Sequence, residues 1–421
     1  MKVQLPFGSN TVQVNIRNDS TVAYPRQLPG VDNLHLEIRR AMLEPVGCAP
    51  LRDIALGKSD AVVVINDLTR PTPSEVMLKF IVEELRVAGI REDEVTVVIA
   101  TGNHRPNTPH EIEQMIGLEL SRRLRVINHI CDDEGALTFA GITDTGLPVW
   151  VNSLVAQSSV KVLTGLITPH HVAGYSGGRK SIVPAVSGLE TIAKHHSFPI
   201  RPYYPAMGWM KGNPFHEEAI KATRMVGIDF IVNVVKNWKG QVVKAVAGDL
   251  EAAHEVGVCT CEETWVVTFP QKYDVVVVTP GGYPRDINLH QSQKAMSSAE
   301  LVVTDDGVIV LVAECRDGIG KFADWLKEAR TPQEVIDRFK KEGFTREHSS
   351  KAFMCARALA EHPVIAACSG IGREELEQMF FHYAPSAQEA VEMALDIKGR
   401  DCSVLVLPYS LDCVPKVSSE G

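Results

Sequence analysis

The chain has 421 residues, 45% of them hydrophobic and 23% charged, with a formal net charge of −9. That length exceeds what one core usually fills and predicts two domains of ordinary soluble composition. An acidic balance without a long basic run excludes nucleic acid and anionic membrane surfaces as natural partners, and no apolar stretch approaches the ~20 residues of a membrane span.

In chain order, "MKVQLPFGSNTVQVNI" reads as an alternating polar strand and not as a signal peptide. Apolar β-branched runs then keep ending in a polar tip followed by a helix. "AVVVIN" (61–66) leads through "DLTRPTPSE" to a helix. "VTVVIA" (95–100) leads through "TGNHRPNTPHE" to another, with Thr108, Pro109 and Glu111 forming a capping box. "VKVLTGLI" (160–167) leads to "PHHVAGYSGGRKSIVPAVSGLETIAKHH" (169–196), whose last third reads as helical. After residue 270 a second series begins with "YDVVVV" and continues through "GVIVLVAE", "HPVIAAC" and "SVLVLPYS". Near-continuous Val/Ile runs are those of strands buried on both faces, which implies parallel pairing with helical crossovers.

The expected fold is therefore α/β: two α/β domains with mostly parallel sheets flanked by helices, and an active-site cleft between them. The N-terminal domain is placed at 1–270 and the C-terminal domain at 271–402, with the tail from about 403 to 421 packing back on the first. The nine cysteines are scattered, with only Cys259 and Cys261 close together, which reads as reduced thiols in a cytoplasm.

Ligands of open α/β sheets sit beyond the carboxyl ends of the strands, where Asp67, Arg70, His104 and His170 fall. Arginine suits bidentate capture of a carboxylate, and Asp67 either orients Arg70 or caps the following helix. "GYSGGRKS" (174–181) nearly fits a phosphate-cradling loop, but Arg179 stands where its second glycine belongs. Adjacent helical residues point ~100° apart, so His195 and His196 cannot share one metal on a regular helix. One histidine of each pair is functional while its neighbour packs. Gln291 and Lys294, in "LHQSQK", share a helix face and offer an amide and a cation to an anion.

Taken in order, "DLTRP", "TGNHRP", "PHHVAGYSGGRKS", "AKHH" and "GGYPRDINLHQSQK" resemble the nickel-dependent lactate racemase family, over almost the whole chain. The resemblance implies a nickel-pincer nucleotide joined covalently to Lys180, with His196 as the nickel ligand and His195 a bystander. It makes His104 and His170 paired acid/base residues. Arg70, Gln291 and Lys294 would hold the substrate carboxylate, and Asp67, Thr69, Arg70, Ser176 and Gly177 would lie at the cofactor. Two departures concern the substrate side chain. His290 stands where lactate-specific members have tyrosine, and Trp325 is out of register with the tryptophan they place in the second domain. Both point to a hydroxy acid larger or more polar than lactate, such as malate or a sugar acid, with His290 as a substrate contact.

The chemistry implied has a physical rationale. Removing the α-proton of a 2-hydroxy carboxylate creates a dianion, whereas moving hydride to a cofactor leaves a flat 2-keto acid that can be reduced on either face. Each enantiomer presents its hydroxyl on a different side, so two bases are needed, and the reference pKa of histidine, about 6.5, suits them. The partners expected are a small 2-hydroxy acid, the proteins that build the cofactor, and at most further copies of the chain. Two rival readings are a non-catalytic nucleotide- or organic-anion-binding protein of the same fold and a P-loop-like phosphotransferase.

Overall fold

Val62 and Val64 face one side of the strand Ala61–Asn66, Val63 and Ile65 the other, and both sides are sealed from solvent in separate apolar clusters. A strand covered on both faces belongs at the centre of a sheet, and this one has neighbours on each edge. In the computed structural model, which describes residues 1–345 and 349–418, it sits in a six-stranded sheet. The spatial order is Val242–Gly248, Phe230–Lys236, Lys161–Ile167, Ala61–Asn66, Val95–Ala100, Arg125–Asn128. All pairs are parallel except the antiparallel edge strand Val242–Gly248.

The helix Ser74–Val87 buries Met77, Leu78, Ile81 and Leu85 against one face of this sheet. At roughly 1.5–3 kcal/mol for each fully buried aliphatic side chain, that stripe holds the helix far more firmly than its propensity does. Pro109–Arg123 starts at the expected capping box, with Thr108 and Glu111 bonded reciprocally, and is interrupted at Gly117.

A second six-stranded sheet, entirely parallel, runs His382–Tyr383, Val364–Cys368, Val303–Ala313, Tyr273–Val278, Val404–Leu407, Thr21–Val22. The two sheets mark two compact units, Gln27–Thr264 and Met1–Arg26 with Trp265–Gly421.

This division departs from the expected boundaries at both ends. The opening residues form a hairpin, Lys2–Phe7 paired with Asn10–Asn15, in place of a single strand. Gly8 supplies the positive φ of 54° that the turn requires. Its apolar face, Val3, Leu5, Val14 and Ile16, joins the core of the second unit beside Val275, Val310 and Val391. Residues 1–26 therefore lie with the C-terminal unit. The described residues of the tail likewise belong to the second unit. Val404–Leu407 inserts beside Tyr273–Val278, and Val414–Val417 pairs with Val266–Phe269, because a strand apolar on both faces needs neighbours that bury both. Among the described residues all cysteines are free thiols, and no helix is long and apolar enough to cross a membrane.

Candidate active site

In the first unit the strand order reverses at Ala61–Asn66, since Val95–Ala100 adds on one side and Lys161–Ile167 on the other. The crevice beyond such a switch point is where open α/β sheets bind ligands. A cavity of about 210 Å³ lies there. Its lining gathers Asp67, Arg70, His104, His170, Ser176, Gly177, Lys180 and His196 from separate strand ends and loops. Thr69 stands just behind, its hydroxyl donating to Asp67 Oδ1 at 2.7 Å.

His104 and Asp67 form a directed pair. His104 Nδ1 is 2.7 Å from Asp67 Oδ2, and an ionised carboxylate can only accept, so the imidazole is protonated at Nδ1. A neutral His104 then carries its lone pair on Nε2, the tautomer a general base requires. Burial pushes the Asp67 carboxyl up. Hydrogen bonds from His104 and Thr69, with the charges of His104 and Arg70, more than offset this and hold it below its ordinary value. The Asp67 side chain is 7% exposed and that of His104 51%, so the carboxylate is fixed while the imidazole reaches the cavity.

His170 is held the opposite way. The backbone N–H groups of Val172 and Ala173 donate to its Nδ1, at 3.2 and 3.1 Å. Its Nε2 lies 3.0 Å from Lys180 Nζ. Burial first, and then the repulsion that Arg70 and any positive charge on Lys180 or His171 would exert, keeps this imidazole well below its usual pKa. Lys180 is likewise pushed well down, first by burial and then by Arg70 and Arg179. The ring of His171 stacks on that of His170, centroids 4.7 Å apart.

His196 caps the short helix Leu189–His195. Its Nδ1 donates to the Ile192 carbonyl at 2.9 Å, which leaves the lone pair of the neutral ring on Nε2, as metal-binding imidazoles are commonly arranged. His195 is buried in packing. Its Nε2 donates to the Phe215 carbonyl at 2.9 Å and its ring lies 3.9 Å from that of Phe215. Among the described residues no three His, Cys, Asp or Glu side chains converge as a metal cage.

Arg179 explains the shape of the lysine loop. Its side chain is fully buried, with Nη2 donating to the carbonyls of Ala173 and Tyr175, each at 2.8 Å, and Nη1 to that of Gly177 at 3.3 Å. His254 Nε2 donates to the intervening Ser176 carbonyl at 2.8 Å. Asn233 Oδ1 accepts from the Gly178 N–H at 2.8 Å, and a Cβ at Gly177, where φ is 81°, would come within 2.6 Å of that oxygen. The loop is thus wrapped around a guanidinium, and only a short turn, Gly178–Ser181, follows it. A phosphate-cradling loop opens a regular helix and points its lysine at phosphate. Here the lysine faces a histidine, so the P-loop-like reading falls.

The sequence shows Arg179 only as a departure from a phosphate loop, and it gives no sign of the supporting Asn233 and His254 or of Asn66 and Thr168 in the cavity lining. Thr101 and Asn103, also in the lining, were readable from the "TGN" at a strand tip. The roles of Asn233 and His254 depend on contacts more than 50 positions away in the chain and leave no local trace.

His290, Gln291 and Lys294 lie in the second unit. They sit on the short helices Leu289–Ser292 and Lys294–Ala299 that follow the strand Tyr273–Val278, and Lys294 donates to the Gln291 side-chain oxygen. The His290 ring meets Phe322 edge to face at 5.7 Å. Trp325 is 6% exposed and covered by the Arg338 guanidinium at 4.0 Å, so it is a packing residue of that unit.

Comparison with known proteins identifies the family. Family models described as the lactate racemase N-terminal and C-terminal domains match residues 7–206 and 269–414. A lactate racemase of Thermoanaerobacterium thermosaccharolyticum is 32% identical, over 98% of both chains. One of Lactiplantibacillus plantarum is 28% identical, over 98% of this chain and 99% of its own. The solved lactate racemase apoprotein of T. thermosaccharolyticum superposes with a TM-score of 0.89 at 30% identity, covering 99% of this chain and all of that one. A Thermotoga maritima protein, 18% identical with a TM-score of 0.65, shares the fold over 93% of this chain. The chain belongs to the lactate racemase family and is an isomerase, a racemase.

Proposed function

We propose that the protein racemises or epimerises 2-hydroxy acids with the help of a nickel-pincer nucleotide held at Lys180 and His196. One observation carries the reading. A single cavity places two differently supported histidines, His104 and His170, beside an arginine and a lysine amine.

The residues present fit such a group. Lys180 offers an amine at the cavity wall, and His196 offers one imidazole whose other nitrogen is already fixed by a carbonyl. A metal that arrives bound to its own organic ligand needs little more from the protein. Gly177 lines the same cavity, and the close packing of its backbone on Asn233 and Ile167 admits no side chain there. When bound, the group supplies a carbon that accepts and returns hydride.

The chain's own residues do the rest. Arg70 binds the substrate carboxylate, with Gln291 and Lys294 as further carboxylate contacts on the family resemblance. Asp67 and Thr69 hold His104 so that Nε2 takes the hydroxyl proton of one enantiomer, and His170 serves the other. His290 is the residue proposed to read the substrate side chain, and its imidazole suits a second carboxylate or an added hydroxyl better than a methyl group. Maturation would need separate cofactor-building proteins.

Polarimetry on a panel of 2-hydroxy acids, with protein matured in a cofactor-producing host, tests the proposal. Racemisation, together with an intact-mass adduct at Lys180 and bound nickel, is the expected result. Matured protein that carries neither adduct nor nickel and leaves every enantiomer unchanged would return the chain to an anion-binding role.

A further inference from the structure

The hydrogen bonds around His170 have only one consistent set of directions. Nδ1 accepts from two backbone N–H groups, so it bears no proton. The single proton of the neutral ring is therefore on Nε2, and that nitrogen faces Lys180 Nζ at 3.0 Å. An ammonium there would need a lone pair on Nε2 as well, which only an imidazolate has. The N–H of His170 must donate to the lone pair of an uncharged amine.

We infer that His170 has a task earlier than proton transfer: in the cofactor-free chain it holds Lys180 as a neutral amine, ready to attack an electrophilic carbonyl-type carbon. The inference deepens the proposed attachment at Lys180 and rests on that reading for its biological purpose, but its geometry does not depend on it. An ordinary lysine, with a reference pKa of about 10.4, is almost wholly protonated at neutral pH and a poor nucleophile. Here the surroundings favour the free amine. Arg70 lines the same cavity, Arg179 is buried next along the chain, and the Asp67 carboxylate in the lining is engaged by His104 and Thr69. Burial and the two arginines act in the same direction.

The arrangement also separates two states of the enzyme. With Nδ1 pinned as an acceptor, His170 can donate from Nε2 but cannot accept there. Taking a hydroxyl proton requires the other tautomer, and so requires the ring to release the Val172 and Ala173 N–H groups. Guarding the amine and moving substrate protons are successive tasks of one ring.

Reductive alkylation of the full-length cofactor-free protein with glyoxylate tests this without any need for activity. The amine attacks the aldehyde carbon, the carbonyl oxygen leaves as water with the amine protons, and cyanoborohydride supplies hydride to the imine. Labelling at Lys180 is compared with that at the exposed Lys58 by peptide mass spectrometry between pH 6 and 8. An ordinary amine gains roughly tenfold in neutral fraction per pH unit, whereas a neutral Lys180 gains almost none. The Lys180-to-Lys58 ratio should therefore exceed one at pH 7 and fall about tenfold per unit as pH rises. A ratio that stays constant, or a Lys180 that remains unlabelled while Lys58 reacts, overturns the inference.

His170→Gln separates the ring from burial alone, because its amide can present oxygen to an ammonium. Lys180 labelling at pH 7 should drop at least threefold, with an unchanged circular dichroism spectrum and unchanged Lys58 labelling as the check on folding. Labelling equal to that of the parent removes His170 from the account. A chain that labels as expected but never racemises would defeat the proposed function and leave this inference standing. A racemase whose Lys180 tracks Lys58 would do the reverse.

Discussion

Asp67 Oδ2 and His104 Nδ1 stand 2.7 Å apart, and the other oxygen of the same carboxylate is held by Thr69, also at 2.7 Å. The carboxylate has one orientation, and through it the imidazole has one tautomer. Asp67→Asn would turn an amide N–H₂ toward Nδ1 and drive the ring proton to Nε2, removing the lone pair from the cavity. We expect kcat to fall by about 10²–10⁴-fold with KM changed only a few-fold. Steady-state racemisation measured by polarimetry checks this, and a loss in kcat below tenfold would detach Asp67 from proton transfer.

Burial, aided by the charge of Arg179, pushes the His254 imidazole down to about 3, and His216 is lowered to a similar value by the same causes. In the unfolded chain each returns to about 6.5. Between those values the unfolded state binds more protons, so this stability is fully present above about 6.5 and is lost as pH falls toward 3. For His254 alone the slope reaches ~1.4 kcal/mol per pH unit. Urea midpoints of the cofactor-free protein should fall steadily from pH 7 to 5, and His254→Gln should flatten the decline.

Arg179→Met removes the donors for three loop carbonyls. Each orphaned carbonyl costs roughly 1–3 kcal/mol, against which stands the relief of no longer burying a cation. The carbonyls win, with an expected net loss of about 2 kcal/mol in chemical denaturation. The loop at 173–178 should also become sensitive to limited proteolysis. A variant as stable and as protease-resistant as the parent would show that Asn233 and His254 hold the loop unaided.

His290→Tyr restores the residue that the lactate-specific members resembled by this chain carry beside the glutamine. The ring sits against Phe322, and a Cβ at Gly320 would come within 2.9 Å of its own Cβ, so there is little slack at its base. If His290 reads the substrate side chain as proposed, a tyrosine extending further from the same anchor would favour the smaller substrate. The ratio of kcat/KM for lactate to that for malate should rise about tenfold, equivalent to ~1.4 kcal/mol. A ratio that does not move would place side-chain recognition elsewhere.

Much of this architecture was legible because the determining signals are local. Runs such as Ala61–Asn66 and Tyr273–Val278 announce doubly buried strands, and the polar tips after them mark where a ligand crevice opens. Lys180, His104 and His170 stand on or near such tips, and the structure brings all three to one cavity. What escaped notice is non-local. The opening residues alternate polar and apolar as any edge strand does, and nothing within them shows that Val3 and Leu5 pack beside Val275. Arg179 looked like a flaw in a phosphate loop, because a buried guanidinium serving backbone carbonyls has no motif. The tautomers of His104 and His170 were out of reach altogether, since Asp67 sets the first and the N–H groups of Val172 and Ala173 the second, in positions that only folding supplies.

The division of the chain also dictates an order of events at the ribosome. Residues 27–264 form one uninterrupted unit and can close as soon as they emerge, whereas Val3, Leu5, Val14 and Ile16 must wait for partners as distant as Val406. At typical synthesis rates of about 5–20 residues per second, that delay is on the order of tens of seconds. The apolar face of the leading hairpin thus stays uncovered until strands near the far end of the chain are made.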